Sequence, residues 1–233
     1  VYHLAAFAKP SVAETQPLDC YSDNVLGAFK LLKTLSEFKP KRIISISAGA
    51  LYSVSAEPYS ELSSIDPLFG VYSSSKRIME LMLKDFERIY GVRSVVVRLF
   101  NTYGPRQELD YLIPSLIVKA KKGDFEIYNG SVVRDFNHVE DVVNALTLLN
   151  DYQGDQELFN IGTGKGTSIA AIAEIISDHF KVGFKDLGRE SFGPAYQVVN
   201  SKLLSNETGW TPNISVRKGV NEFCQYLSKN ISI

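Results

Sequence analysis

The chain has 233 residues, 45% hydrophobic, 22% charged and 11% aromatic, a composition that excludes disordered, collagen-like and coiled-coil classes. Its 25 Lys plus Arg against 26 Asp plus Glu leave a net charge of −1 and no basic block, so nucleic acid is not an expected partner. Two distant cysteines, Cys20 and Cys224, exclude a disulfide scaffold and a cysteine zinc site and suit a reducing, cytoplasmic compartment.

Val1 to Ala6 reads as a buried strand that starts without a methionine, so the chain is expected to be N-terminally truncated. Residues 18–38 follow a helical pattern, with Val25, Leu26, Phe29, Leu32 and Leu35 on one period and Pro40 as the stop. Arg42 to Ser47 is an isoleucine-rich strand. A loop holding Pro58 and Pro67 leads to a second long helix over 71–90, with Gly91 in the position of a C-cap glycine. Ser94 to Phe100 is a β-branched strand, followed by a helix near 113–122 and a strand at 125–128. The segment 134–141 enters a helix reaching Leu149, and Leu158 to Ile161 is a short strand. A glycine-rich loop then opens a helix over 168–180, and a last helix covers 216–227. Strands alternating with helices predict an α/β protein, and no apolar run is long enough to span a bilayer.

The second long helix contains Tyr72-Ser-Ser-Ser-Lys76, an i, i+4 pair that shares one helix face. An ammonium beside a phenol favours phenolate, which would lower the tyrosine pKa and suit it to move a hydroxyl proton. On the same helix, Glu80, Lys84, Asp85, Glu87 and Arg88 read as a solvated face. The Met79, Met82 and Phe86 stripe could serve either the core or a contact between subunits. His3, His138 and His179 are dispersed without ligand spacing, so no metal site is expected. The Gly162-Thr-Gly164-Lys-Gly166 run lacks dinucleotide spacing and reads as a structural strand-to-helix turn.

In chain order, His3-Leu-Ala-Ala6, Asn24-Val-Leu-Gly27, Tyr72-x-x-x-Lys76 and Arg98-x-x-Asn101-x-Tyr-Gly-Pro-Arg106 form one series of motifs. Arg134-Asp-Phe-x-His-Val-x-Asp141, Asn160-Ile-Gly-Thr-Gly164 and Gly209-Trp-x-Pro212 continue it. This series resembles the extended short-chain dehydrogenase/reductases, the NAD-dependent epimerase/dehydratase family that includes UDP-glucose 4-epimerase-like enzymes. The resemblance implies a Rossmann-like doubly wound parallel sheet whose first βαβαβ half is missing, with a small C-terminal α/β substrate lobe. The lobes would interleave: 1–103 with 137–163 in the nucleotide lobe, 104–136 and 164–233 in the substrate lobe.

By the same resemblance, Tyr72 is the acid/base and Lys76 its partner, with Lys76 also bonding the nicotinamide ribose. Ala5, Ala6 and Asn24 would border or organise the cofactor site. Asn101 and Arg134 would hold the diphosphate of a nucleotide sugar, with Arg189 as a second phosphate contact. The cofactor would be NAD, with NADP left open, and the two long helices would pair in a homodimer. Two departures stand out. The family's G-x-x-G-x-x-G fingerprint is absent from these residues, and Ala48 occupies the place of the catalytic Ser or Thr. Ser47, one residue away, is the replacement candidate. No carboxylate follows Ala48, which favours a 4-epimerase-like reaction over a 4,6-dehydratase or decarboxylase. A keto-sugar reductase and a non-catalytic remnant are the alternative expectations.

Overall fold

The computed structural model describes residues 1–65, 70–189 and 193–230. The elements of the first half are β1 (Tyr2–His3), α1 (Pro10–Ala13), α2 (Pro17–Tyr21), α3 (Gly27–Phe38), β2 (Ile43–Ala48), α4 (Gly70–Tyr90), β3 (Ser94–Leu99) and β4 (Asn101–Tyr103). The second half holds α5 (Leu112–Lys122), β5 (Glu126–Ile127), β6 (Val133–His138), α6 (Val139–Asp151), β7 (Leu158–Ile161) and β8 (Gly166–Ser168). It ends with α7 (Ile169–Phe180), β9 (Lys185–Asp186), β10 (Tyr196–Gln197), α8 (Lys202–Thr208) and α9 (Val216–Asn230).

Four strands pair in parallel in the order β1-β2-β3-β7. Parallel strands need crossover helices, and these cover both faces of the sheet. Because side chains alternate along a strand, Ile43 and Val96 point to one face, where Leu32 and Leu35 of α3 meet Met79, Leu83 and Phe86 of α4. Ile44, Val95 and Val97 point to the other, against Ala145 and Leu149 of α6, Leu204 of α8 and Trp210. The fold is thus an α/β, Rossmann-like doubly wound sheet. A second sheet, β10-β6-β4 with β8 antiparallel on β6, carries a separate core in which Ile117, Ile172, Ile176 and Phe223 pack on Tyr103 and Phe136.

Several expectations change here. The first strand is shorter than 1–6 and not buried: only Tyr2 and His3 pair with β2, and Val1, Tyr2 and Leu4 are exposed. The helix expected over 18–38 is broken by a π-helical turn at Ser22–Leu26. Such a turn re-aims side chains within a helix, and here it buries Asn24. Met79 and Phe86 are core residues, and Met82 packs against the same cluster, so that stripe does not form an outer surface. Gly91 does end α4 in the left-handed region, at φ 69°, with its N–H donated to Glu87 O at 2.8 Å.

Candidate active site

The carboxyl ends of β1, β2 and β3 open onto a cavity of about 660 Å³, a size usual for small-ligand pockets. Ligands bind outside the carboxyl ends of strands in open parallel sheets, because the strands' following loops converge there. Leu4, Ala6, Ser47, Ala48, Leu99 and Asn101 line the cavity from the sheet side. Tyr72 and Lys76 line it from α4, and Gln107, Glu108 and Tyr111 from the loop before α5.

The first turns of α4 are anchored from two directions. Ser73 Oγ donates to Ala50 O at 3.0 Å, tying the helix to the loop after β2. Ser75 Oγ donates to Tyr72 O at 2.7 Å and accepts from Asn24 Nδ2 at 2.9 Å. Asn24 also accepts from Phe7 N at 2.8 Å and donates to Phe7 O at 3.1 Å, clamping the loop after β1. Asn24 itself does not line the cavity. It organises the backbone that does, and Ala6 rather than the exposed Ala5 forms that wall.

Lys76 is 2% exposed and its Nζ donates to Ile46 O at 3.0 Å. Burial drives its pKa down to about 8, while Cys20 and Glu80 pull the other way. The expected lowering of Tyr72 is not what the fold produces. Burial pushes the phenol above its ordinary value, and Tyr111 and Cys20 add to the rise. In this geometry desolvation dominates, and Tyr72 rests as a neutral phenol.

The neighbouring polar groups differ most from their sequence reading. Ser47, on the face of β2 toward α4, donates its hydroxyl to Glu80 Oε1 at 2.7 Å. Ala48, on the opposite strand face, presents a methyl group to the cavity. Glu80 is no part of a solvated face, being 3% exposed. Its carboxylate receives Arg98 Nε and Nη2 at 2.9 and 2.8 Å and Arg77 Nη1 at 2.9 Å. Burial opposes that charge, but Arg98, Ser47 and Arg77 prevail and hold the carboxyl below its usual range. Sequence periodicity could have flagged it: Glu80 is four residues beyond Lys76 and shares its buried face.

The expected phosphate contacts lie further along. Asn101 borders the cavity. Arg134 is 9% exposed, and its Nη1 reaches only the carbonyl of Val133, at 2.9 Å, among the described residues. Burial lowers its pKa. The acidic residues flanking it are used elsewhere. Asp135 accepts from Thr163 N, Gly164 N and Val199 N at 2.7, 2.8 and 3.3 Å and from Thr163 Oγ1 at 2.6 Å. Asp141 accepts from Asn213 N and Ile214 N, both at 3.0 Å. Arg134 thus has a buried guanidinium without a carboxylate partner among the described residues, which suits an anion. Asp135 makes the glycine-rich run the structural turn its spacing suggests. Arg189 is exposed over the Tyr128 ring, 5.9 Å from its centroid, and does not line the cavity.

A doubly wound sheet thus carries a cavity at its strand ends with a tyrosine and a lysine on its wall. The chain belongs to the NAD dependent epimerase/dehydratase family, whose model matches residues 1–162. It is 28% identical to the UDP-glucose 4-epimerase of Halalkalibacterium halodurans, over 91% of this chain and 70% of that one. It is also 28% identical to UDP-glucuronic acid decarboxylase 6 of Arabidopsis thaliana, over 94% of this chain and 67% of that one. The structure of Thermotoga maritima UDP-glucose 4-epimerase with UDP-glucose superposes with a TM-score of 0.90 at 27% identity, covering 98% of this chain and 77% of that one.

Proposed function

We propose that this chain is a nucleotide-sugar 4-epimerase that works with NAD. The observation that supports it most directly is the cavity wall itself. Tyr72, a buried lysine and small side chains meet at the carboxyl ends of a parallel sheet, in a family named for NAD. An ammonium has three donors, and among the described residues Lys76 donates one hydrogen bond, to Ile46 O. Two protons remain to hold a vicinal diol such as a ribose, and Ala6 leaves room beside them. NAD supplies a hydride acceptor that can return what it takes.

Tyr72 takes and returns the proton of the sugar hydroxyl, because it lines the cavity one helical turn from Lys76, which lines it too. Lys76 stabilises the phenolate while the proton is away. Arg134 and Asn101 orient the diphosphate, with Arg189 reaching it only by leaving Tyr128. Ser47 has its proton engaged by Glu80 and can only accept from a sugar hydroxyl while that bond lasts, so proton transfer is assigned to Tyr72. The absence of an acidic side chain at Gly49 and Ala50 favours epimerisation over the decarboxylation in one relative's name. In this reading residues 1–103 and 137–163 form the nucleotide lobe and the rest the substrate lobe. Leu26 and Phe29 on the first helical stretch and Ile78 and Leu81 on α4 are exposed and apolar, and would pair across a homodimer.

Tyr72→Phe is the decisive test in the protein supplied with NAD and UDP-sugars. Interconversion falls by a factor of at least about 100 while UDP binding by calorimetry is unchanged. Unaltered interconversion would remove Tyr72 from the mechanism.

A further inference from the structure

We propose that Glu80 is a positioning residue of this site, a buried carboxylate that acts through Lys76 by stapling α4 to β2 and β3. The proposal rests on the reading of Tyr72 and Lys76 as the proton-transfer pair. Two strands and the helix's own preceding turn converge on the one carboxylate: Ser47 from β2, Arg98 from β3 and Arg77 from α4 itself. All these hydrogen bonds lie between 2.7 and 2.9 Å. Arg98 is itself 2% exposed and lies 4.8 Å from the Tyr52 ring centroid, so the anchor cannot drift on its strand. Glu80 therefore fixes the axial position of α4 on the sheet. One helical turn back, that position puts Lys76 Nζ on Ile46 O, the residue before Ser47 in β2.

The second consequence is electrostatic. The charged and titratable groups facing Lys76 are Glu80 on its own helix, Cys20 on α2 and His3 on β1, with Tyr72 one helical turn back. His3 is held below its ordinary value by burial and by Lys76, so it does not offer a second cation near neutrality. Glu80 is the paired carboxylate of this group and supports the ammonium that burial disfavours. A surface residue would give neither the register nor this charge.

The test follows the lysine titration by NMR of 13C-labelled protein without added ligand, with Lys76→Met identifying the resonance. Removing both charges in E80M/R98M avoids an unpaired buried arginine, since apolar replacement of a buried pair is commonly tolerated. That variant unfolds cooperatively and its Lys76 midpoint falls by about one pH unit, a tenfold loss in proton affinity. E80D, which keeps the charge, stays within about 0.3 pH unit of the parent. R98M, in which Ser47 and Arg77 still hold the carboxylate, gives the opposite sign and raises the midpoint. A folded E80M/R98M that titrates like the parent overturns the proposal. If E80M/R98M does not fold, an unmoved midpoint in R98M overturns it. Tyr72→Phe reports separately: surviving interconversion would sink the acid/base reading without altering these midpoints.

Discussion

Lysine 76 offers a stability measurement whose sign is fixed by its burial. Its pKa falls from 10.5 to about 8 in the folded chain. Between these values the unfolded state binds more protons than the native one, so stability rises with pH. The cost of burying the ammonium is fully present below pH 8 and is relieved as pH climbs toward 10.5. A displacement of that size corresponds to about 3 kcal/mol, of which about 2.5 kcal/mol is recovered between pH 7 and pH 10. Lys76→Met keeps an unbranched side chain, one atom shorter, fills most of the same space and cannot titrate. Urea unfolding of both proteins at pH 7, 8, 9 and 10 isolates the lysine, because every other group cancels in the difference. The parent gains on the variant by about 2.5 kcal/mol over that range. Parallel stability curves would refute the buried, charge-bearing position assigned to Lys76.

Three other outcomes follow from the same geometry. Ser47→Ala lowers interconversion less than about tenfold, against the far larger loss for Tyr72→Phe, because its hydroxyl serves Glu80; steady-state rates on both variants decide, and equal losses would restore Ser47 as a direct participant. Asp135→Ala strands the N–H groups of Thr163, Gly164 and Val199 and costs about 3 kcal/mol in denaturant unfolding; a loss under 1 kcal/mol would show the glycine turn is held otherwise. Leu81→Arg puts a charge on the exposed face of α4, halves the mass by sedimentation equilibrium and changes monomer stability by less than about 0.5 kcal/mol. A parent protein that is already monomeric would discard the helix-paired dimer.

Much of the fold was readable because its signals are local. The isoleucines of Arg42 to Ser47, the valine run after Ser94 and the period of α4 fall within a few residues of β2, β3 and α4. The two-residue strands β9 and β10 carry no such signal, since they exist only through parallel pairing with distant partners. The same limit applied to Asn24, whose π-helical turn is set by the Phe7 backbone it clamps. At the site, the Tyr72–Lys76 spacing was legible as one helix face, and the turn at 162–166 as structural. Glu80 was read as solvated because charge alone suggests water, while its three partners come from 3 to 33 residues away.

The sequence by itself determined the alternation of strands and helices, the order of the motifs and the placement of a tyrosine and a lysine on one helix face. Spacing along the backbone is enough for each of these. Only the tertiary structure decided which charges are expressed and which hydroxyls are free. Burial raised Tyr72 and lowered Lys76, and strand alternation turned the Ser47 hydroxyl to Glu80. Desolvation and hydrogen-bond geometry depend on what packs across from a residue, and that is settled by segments remote in the chain.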